Sequence, residues 1–232
     1  AEPKRILADG KPIRFLRNEL LGKPFHTHNM GYPLPDLVDW DADGLPDLLF
    51  PNETNRIYWY KNVGTRTKPR FGRRRQLRVE GYPDSAAARK NSAELAMKAT
   101  YPNEKERPFY WRTGAAFADF NGDGLCDLVS LDGLKRRATL FVQSRGISGE
   151  LRLRKAGPLK LADGRFIDDR IVARRSHWTE SFRPVDFDGD GRIDLIYSIA
   201  GAHGGSQDGG SIYLLRNNGT KTEPTFENPV TL

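Results

Sequence analysis

Three stretches of the chain carry aspartate at a spacing that suits a hard cation. They read Asp39-Trp40-Asp41-Ala42-Asp43-Gly44-Leu45-Pro46-Asp47, Asp119-Phe120-Asn121-Gly122-Asp123-Gly124-Leu125-Cys126-Asp127 and Asp186-Phe187-Asp188-Gly189-Asp190-Gly191-Arg192-Ile193-Asp194. Side-chain oxygens stand at positions 1, 3, 5 and 9 of each nonapeptide, and glycine stands at position 6. Like charges in one turn oppose each other's ionisation, so three or four carboxylates are costly there without a cation among them. Ca²⁺ takes oxygen ligands of this kind, and glycine permits the sharp turn that wraps the backbone around it. The main-chain carbonyls of Leu45, Leu125 and Arg192, at position 7, complete each expected set. A lone Asp-Gly turn is usually only a solvated hairpin, but three copies in one ligand register point to as many as three calcium sites. Asn121 replaces a carboxylate in the second copy, which is expected to be the weakest site.

An EF-hand begins in a similar way but needs flanking helices and a glutamate at position 12. Phe50, Ser130 and Tyr197 stand there instead. Each loop is followed by a short apolar run, Leu48-Leu49-Phe50, Leu128-Val129-Ser130 or Leu195-Ile196-Tyr197, which predicts a buried strand. The repeat extends further. Ile57 to Phe71 aligns without a gap on Ile212 to Phe226 and includes the turns Asn62-Val63-Gly64-Thr65 and Asn217-Asn218-Gly219-Thr220. The middle copy keeps a strand at Thr139 to Val142, while its turn drifts to Ser144-Arg145-Gly146. The segments around Asp9-Gly10 and Asp163-Gly164 read as turns between repeats.

The Asp-x-Asp/Asn-x-Asp-Gly-x-x-Asp pattern, with its following strands, resembles the FG-GAP/VCBS family of calcium-loop repeats, also found in the integrin α-subunit head. The resemblance covers most of the chain. It implies an all-β fold of about three four-stranded β-propeller blades, spanning roughly 1–80, 81–163 and 164–232, with calcium in the inter-strand loops. Closed propellers usually hold four to eight blades. The expectation is therefore a single segment of a larger propeller, completed by further blades of a parent chain or by self-association.

No stretch of about 18 apolar residues occurs, so no membrane span is expected. The chain has one cysteine, Cys126, which leaves calcium rather than disulfides as the staple and suits a secreted, cell-surface or periplasmic protein. Cys126 reads as a small packed side chain. The net charge is +7, with 37 Lys plus Arg against 30 Asp plus Glu, and the three loops hold eleven of those acidic residues. The remaining surface is strongly cationic, with runs at Arg73-Arg74-Arg75, Lys135-Arg136-Arg137, Arg152-Leu153-Arg154-Lys155 and Arg174-Arg175. Such a field attracts polyanions. Outside the cell these are uronate-rich or sulfated polysaccharides. Nucleic acid is less favoured because no nucleic-acid module is present.

Aromatic, histidine and arginine residues gather before each loop: Phe25, His26, His28 and Tyr32, then Phe109, Tyr110, Trp111 and Arg112, then His177, Trp178, Glu180 and Arg183. In a propeller these would ring one mouth of the central channel, where aromatics stack on sugars and Arg112 or Arg183 pairs with carboxylates. Packing between blades is the plainer explanation of the same residues. The expected role is a calcium-stabilised extracellular module that binds anionic polysaccharide or a partner protein. The rivals are a polysaccharide lyase, in which His26, His28, His177, His203, Tyr32 or Tyr110 would take the proton α to a uronate, and a purely structural module. No catalytic motif fixes a geometry for such a lyase, so no residue is assigned as catalytic.

Overall fold

The computed structural model describes residues 5–15, 31–52, 56–82, 85–88, 90, 108–110, 112–171, 179–200 and 210–232. Among them the architecture is all-β. A short hairpin, β1 (Leu7–Ala8) and β2 (Lys11–Pro12), precedes three four-stranded antiparallel sheets, each a meander in chain order. Sheet 1 comprises β3 (Asp36–Val38), β4 (Asp47–Pro51), β5 (Ile57–Tyr60) and β6 (Arg75–Gln76). Sheet 2 comprises β7 (Ala116–Ala118), β8 (Asp127–Leu131), β9 (Ala138–Arg145) and β10 (Leu151–Pro158). Sheet 3 comprises β11 (Thr179–Val185), β12 (Asp194–Ala200), β13 (Gly210–Leu215) and β14 (Val230–Thr231). Each acidic nonapeptide joins the first and second strands of a sheet, as expected for a strand-to-strand turn.

The apolar runs after the loops form the second strands, and β4 and β8 are buried along their whole length. A strand covered on both faces reads as a continuous apolar run rather than an alternating one. The sheets stack face to face. Trp40, Leu49 and Trp59 of sheet 1 meet Phe117, Leu128 and Phe141 of sheet 2. The opposite face of sheet 2, through Val129, Leu131 and Phe120, meets Phe182, Leu195 and Tyr197 of sheet 3. Phe182 and Tyr197 stack with ring centroids 4.8 Å apart and planes 5° from parallel. The outer face of sheet 1, with Leu48, Phe50, Tyr58 and Tyr60, is covered by Ala8 and Phe15.

Two devices recur between the sheets. The first strands of sheets 2 and 3 run side by side, with Thr113 bridging Glu180 in parallel and Gly114 N–H donating to Glu180 O at 2.8 Å. At the outer edge, the segment preceding each sheet docks in parallel on its fourth-strand side: Ala8 on Phe71, Val79 on Leu153 and Leu161 on Phe226. The amides of Asp9, Glu80 and Ala162 donate to Phe71 O, Leu153 O and Phe226 O at 2.9, 2.8 and 2.8 Å. A backbone strap thus ties sheet 1 to sheet 2 and sheet 2 to sheet 3 in the same way, and the N-terminal hairpin docks on sheet 1 likewise.

The aligned Asn-x-Gly-Thr turns are superposable in their bonding. Asn62 Oδ1 accepts from Gly64 N and Arg70 N at 2.9 and 3.2 Å, and Asn217 Oδ1 accepts from Gly219 N and Thr225 N at 3.0 and 3.2 Å. A Cβ on Gly64 or Gly219 would lie 2.4 Å from the carbonyl oxygen of Lys68 or Glu223, which explains glycine at both. The middle copy differs. Its turn is Gly146 to Glu150, and β10 runs eight residues where β6 and β14 run two. Gly219→Ala is expected to lower stability by about 1–3 kcal/mol, because the backbone of the turn must open. Thermal unfolding of the purified variant checks this.

Candidate metal centres and the strand openings

The three loops share one internal geometry. Position 1 accepts the amide of the position-6 glycine: Asp39 from Gly44 at 2.8 Å, Asp119 from Gly124 at 2.8 Å, Asp186 from Gly191 at 3.0 Å. Position 5 accepts the amide of position 7: Asp43 from Leu45 at 3.0 Å, Asp123 from Leu125 at 2.8 Å, Asp190 from Arg192 at 2.8 Å. Gly44, Gly124 and Gly191 all hold φ between +80° and +87°, a region that penalises any Cβ. Position 4 is left-handed too, occupied by Gly122 and Gly189 at φ +77° but by Ala42 at +56° in the first loop.

These turns bring carboxylates together. Asp39, Asp41 and Asp43 each offer an oxygen within 4.8 Å of the others, as do Asp186, Asp188 and Asp190, so either set can hold a metal ion. All donors are hard oxygens, the chemistry that suits Ca²⁺ or Mg²⁺ rather than zinc. In the second loop Asn121 Nδ2 donates to Asp123 Oδ2 at 3.0 Å, so the amide itself offsets part of the charge. In the first loop the Lys61 ammonium bridges Asp41 and Asp43. Burial works against that ammonium, but its hydrogen bonds and charge pairing with the two carboxylates hold its pKa above the usual lysine value. The hydrogen bond from Lys61 holds Asp43 below the usual carboxylate range. A side-chain cation lying where the carboxylates meet is what a cation-seeking site looks like. The buried Asp41 Oδ1, with no hydrogen-bond partner, fits the same demand.

Position 9, expected as one more ligand, also makes bonds to protein donors. Asp47, Asp127 and Asp194 are 0, 0 and 2 % exposed and stand outside the two triads. One oxygen of each accepts a backbone amide within two residues of the end of the third strand: Asn62 N at 2.6 Å and Asn217 N at 2.7 Å just past β5 and β13, and Gln143 N at 2.8 Å within β9. The other oxygen of Asp127 and Asp194 accepts the position-2 amides of Phe120 and Phe187 at 3.1 and 3.0 Å, while that of Asp47 accepts Trp59 Nε1 at 2.8 Å. Burial, opposed in part by these bonds, pushes Asp47 and Asp127 up to about 6. Arg192 at position 7 donates its Nε to Asn217 O at 2.8 Å and pairs with Asp190. Cys126 is packed in the core between sheets 1 and 2, and burial, with the nearby Asp127, pushes its thiol up to about 12. That agrees with a packing role rather than a nucleophilic one.

Of the residues expected at the strand openings, Phe25, His26, His28, Trp111, His177 and Trp178 lie outside the described residues, as does His203. The described ones make contacts within the chain. The Arg112 guanidinium lies 4.2 Å from the Tyr32 ring centre, and Arg112 itself is buried. Arg136 lies 5.0 Å from the Tyr110 ring and pairs with the buried Glu180, which also accepts Tyr197 OH at 2.8 Å. Arg183 on β11 pairs with Asp36 on β3 and donates to Ala115 O at 3.3 Å, which links the first strands of all three sheets. The sequence did not single out Asp36 or Lys61, and it named Arg136 only as part of a cationic run. Their signal lies in partners 147, 20 and 44 residues away. Asn52 begins a glycosylation sequon, yet its amide is buried and donates to Phe50 O and Arg56 O at 2.9 Å, so it is not presented for modification.

No protein-family model matches the chain, and no curated protein is similar to it.

Two outcomes follow from the loop geometry. An acid whose folded pKa exceeds its unfolded one costs stability above the folded value and returns it as pH falls through that value. In chelator, the melting temperature is therefore expected to rise as pH falls from 7 to 5, the window set by Asp47 and Asp127 near 6; a falling one would contradict it. Ala42→Gly relieves about 1–2 kcal/mol of left-handed strain and adds about 0.4–1 kcal/mol of unfolded-chain entropy. A small net gain in denaturant midpoint is expected.

Proposed function

We propose that this chain is a calcium-stabilised segment of an FG-GAP/VCBS-type β-propeller that binds anionic glycan outside the cell. The observation that carries it is the shared loop geometry, with position 1 accepting the position-6 amide and position 5 the position-7 amide in all three copies, at the same place in three stacked sheets. Each first strand lies at a sheet edge, as the inner strand of a propeller blade must, and β7 and β11 adjoin in parallel. Calcium, when bound, supplies the positive charge that lets the crowded carboxylates stay ionised. Asp39, Asp41, Asp43 and Asp186, Asp188, Asp190 would hold it, with Asp119, Asn121 and Asp123 forming the weakest site.

Further blades or a second copy fit the open side of sheet 3. Position 2 of the loop packs against the next sheet in the first two copies, where Trp40 is 2 % and Phe120 1 % exposed. Phe187 holds the same position and is 47 % exposed, and Ile212 of β13 is 49 % exposed. No helix of the described residues is long and apolar enough to cross a membrane. The cationic surface left once the loops are filled supports the glycan as ligand.

Chelation is expected to lower the melting temperature by roughly 5–10 °C per site that was held at 100-fold its Kd, from about 2.7 kcal/mol of linkage and about 2–4 °C per kcal/mol. Asp43→Ala and Asp190→Ala should each remove one such step, and Asp123→Ala a smaller one. Equal melting temperatures in excess calcium and in chelator would overturn the metal assignment. Failure of every sulfated and uronate polysaccharide to retain the calcium-loaded protein would overturn the ligand assignment.

A further inference from the structure

The outer edges of sheets 1 and 2 enclose a cleft of about 520 Å³ whose cationic lining is entirely arginine: Arg74, Arg75, Arg78, Arg145 and Arg152. Only two carboxylates, Asp41 and Glu150, share that lining. The volume lies within the range of small-ligand sites. Its walls are fixed by backbone, because the strap at Arg78 to Glu80 exchanges hydrogen bonds with Leu153 of β10 at 2.8 Å. Trp40 also lines it, and the Trp40 Nε1, on a side chain almost wholly buried, has no hydrogen-bond partner among the described residues. The corresponding residue of the second repeat is Phe120, which carries no such donor.

We propose that this cleft, rather than the strand openings, is where the protein binds an anionic sugar segment bearing sulfate or carboxylate groups, an inference that rests on the glycan-binding function above. Arginine matches these groups because its planar fork donates two parallel hydrogen bonds to one oxyanion, which lysine cannot do. Arg75, Arg78, Arg145 and Arg152 are exposed on its rim. Arg145 also donates to the carbonyl of Asp41, and Arg152 pairs with Glu150 at 2.6 Å, so the fork orientations are already restrained. Single-stranded nucleic acid suits the cleft less. Its binders stack bases on open aromatic faces, whereas Trp40 is buried and the Trp59 ring lies under the Arg75 guanidinium at 5.1 Å. None of Tyr32, Tyr110, Arg112 or Arg183 lines the cleft.

Calorimetric titration of the calcium-loaded protein tests the assignment with three probes: a sulfated heparin oligosaccharide, an oligogalacturonate and a single-stranded DNA of equal charge. The triple variant Arg75→Gln, Arg78→Gln, Arg152→Gln is expected to weaken sugar binding by at least about tenfold. The charge-matched control Lys11→Gln, Arg66→Gln, Lys68→Gln, on exposed sites elsewhere, should cost less than about threefold. The two sugars separate sulfate from carboxylate as the recognised group. Equal losses in the two triple variants would place the site elsewhere and leave glycan binding intact. Tighter binding of DNA than of either sugar would overturn the sugar assignment. No binding of either sugar by the unmodified protein would instead remove the function on which the inference rests.

Discussion

The buried carboxylate at position 9 is the interaction on which the rest depends. A loop that crowds negative charge and a sheet that must pack on both faces are hard to join, because the chain has to leave the acidic turn and enter the core at once. Asp47, Asp127 and Asp194 solve this by accepting a backbone amide near the end of the third strand. Two of them also fasten the start of their own loop. One charged group therefore satisfies amides from two directions, and loop shape is set by the same atoms that set strand register. Removing either partner of a buried charge-assisted bond costs far more than the bond adds, which is why the three copies agree so closely here.

Stacking follows from that register. With loop and third strand locked, the position-2 aromatic is aimed at the neighbouring sheet, and Trp40 meets Phe117 edge-on at 6.1 Å. The straps at Ala8, Val79 and Leu161 then close the outer side with main-chain bonds alone. Because those bonds need no particular side chain, the strap residues vary while the connection does not. At the other side, Arg183, Asp36 and Ala115 join three sheets through one guanidinium. Burial raises the Asp36 pKa despite the arginine beside it, so the pair restrains the assembly more than it stabilises it.

Much of this was legible in the residues. The strands after the loops, the strand-to-strand position of the loops, and the Asn62 and Asn217 turns follow from local pattern and from the gapless alignment of Ile57–Phe71 with Ile212–Phe226. What stayed hidden was relational. Asp47, Asp127 and Asp194 share the spacing of the other aspartates, and only their burial against distant amides sets them apart. The length of β10 was concealed by the drift of the middle turn, since Gly146 to Glu150 carries none of the Asn-x-Gly-Thr signature. Tyr110, Arg112 and Arg183 read as a binding rim because aromatics and arginines at a channel mouth suggest one, but partners far along the chain engage them. The arginines of the inter-sheet cleft come from three separate segments, so no run in the sequence gathers them.

An array of near-identical units has a built-in ambiguity, since whatever fits one junction fits the next. The long hairpin of β9 and β10 breaks that degeneracy. It extends one sheet beyond its neighbours and raises a wall, with Arg145, Glu150 and Arg152 on it, at a single junction. The drifted repeat is therefore a landmark: it gives an otherwise periodic scaffold an address, so that a guest meets one distinguished gap in place of several equivalent ones.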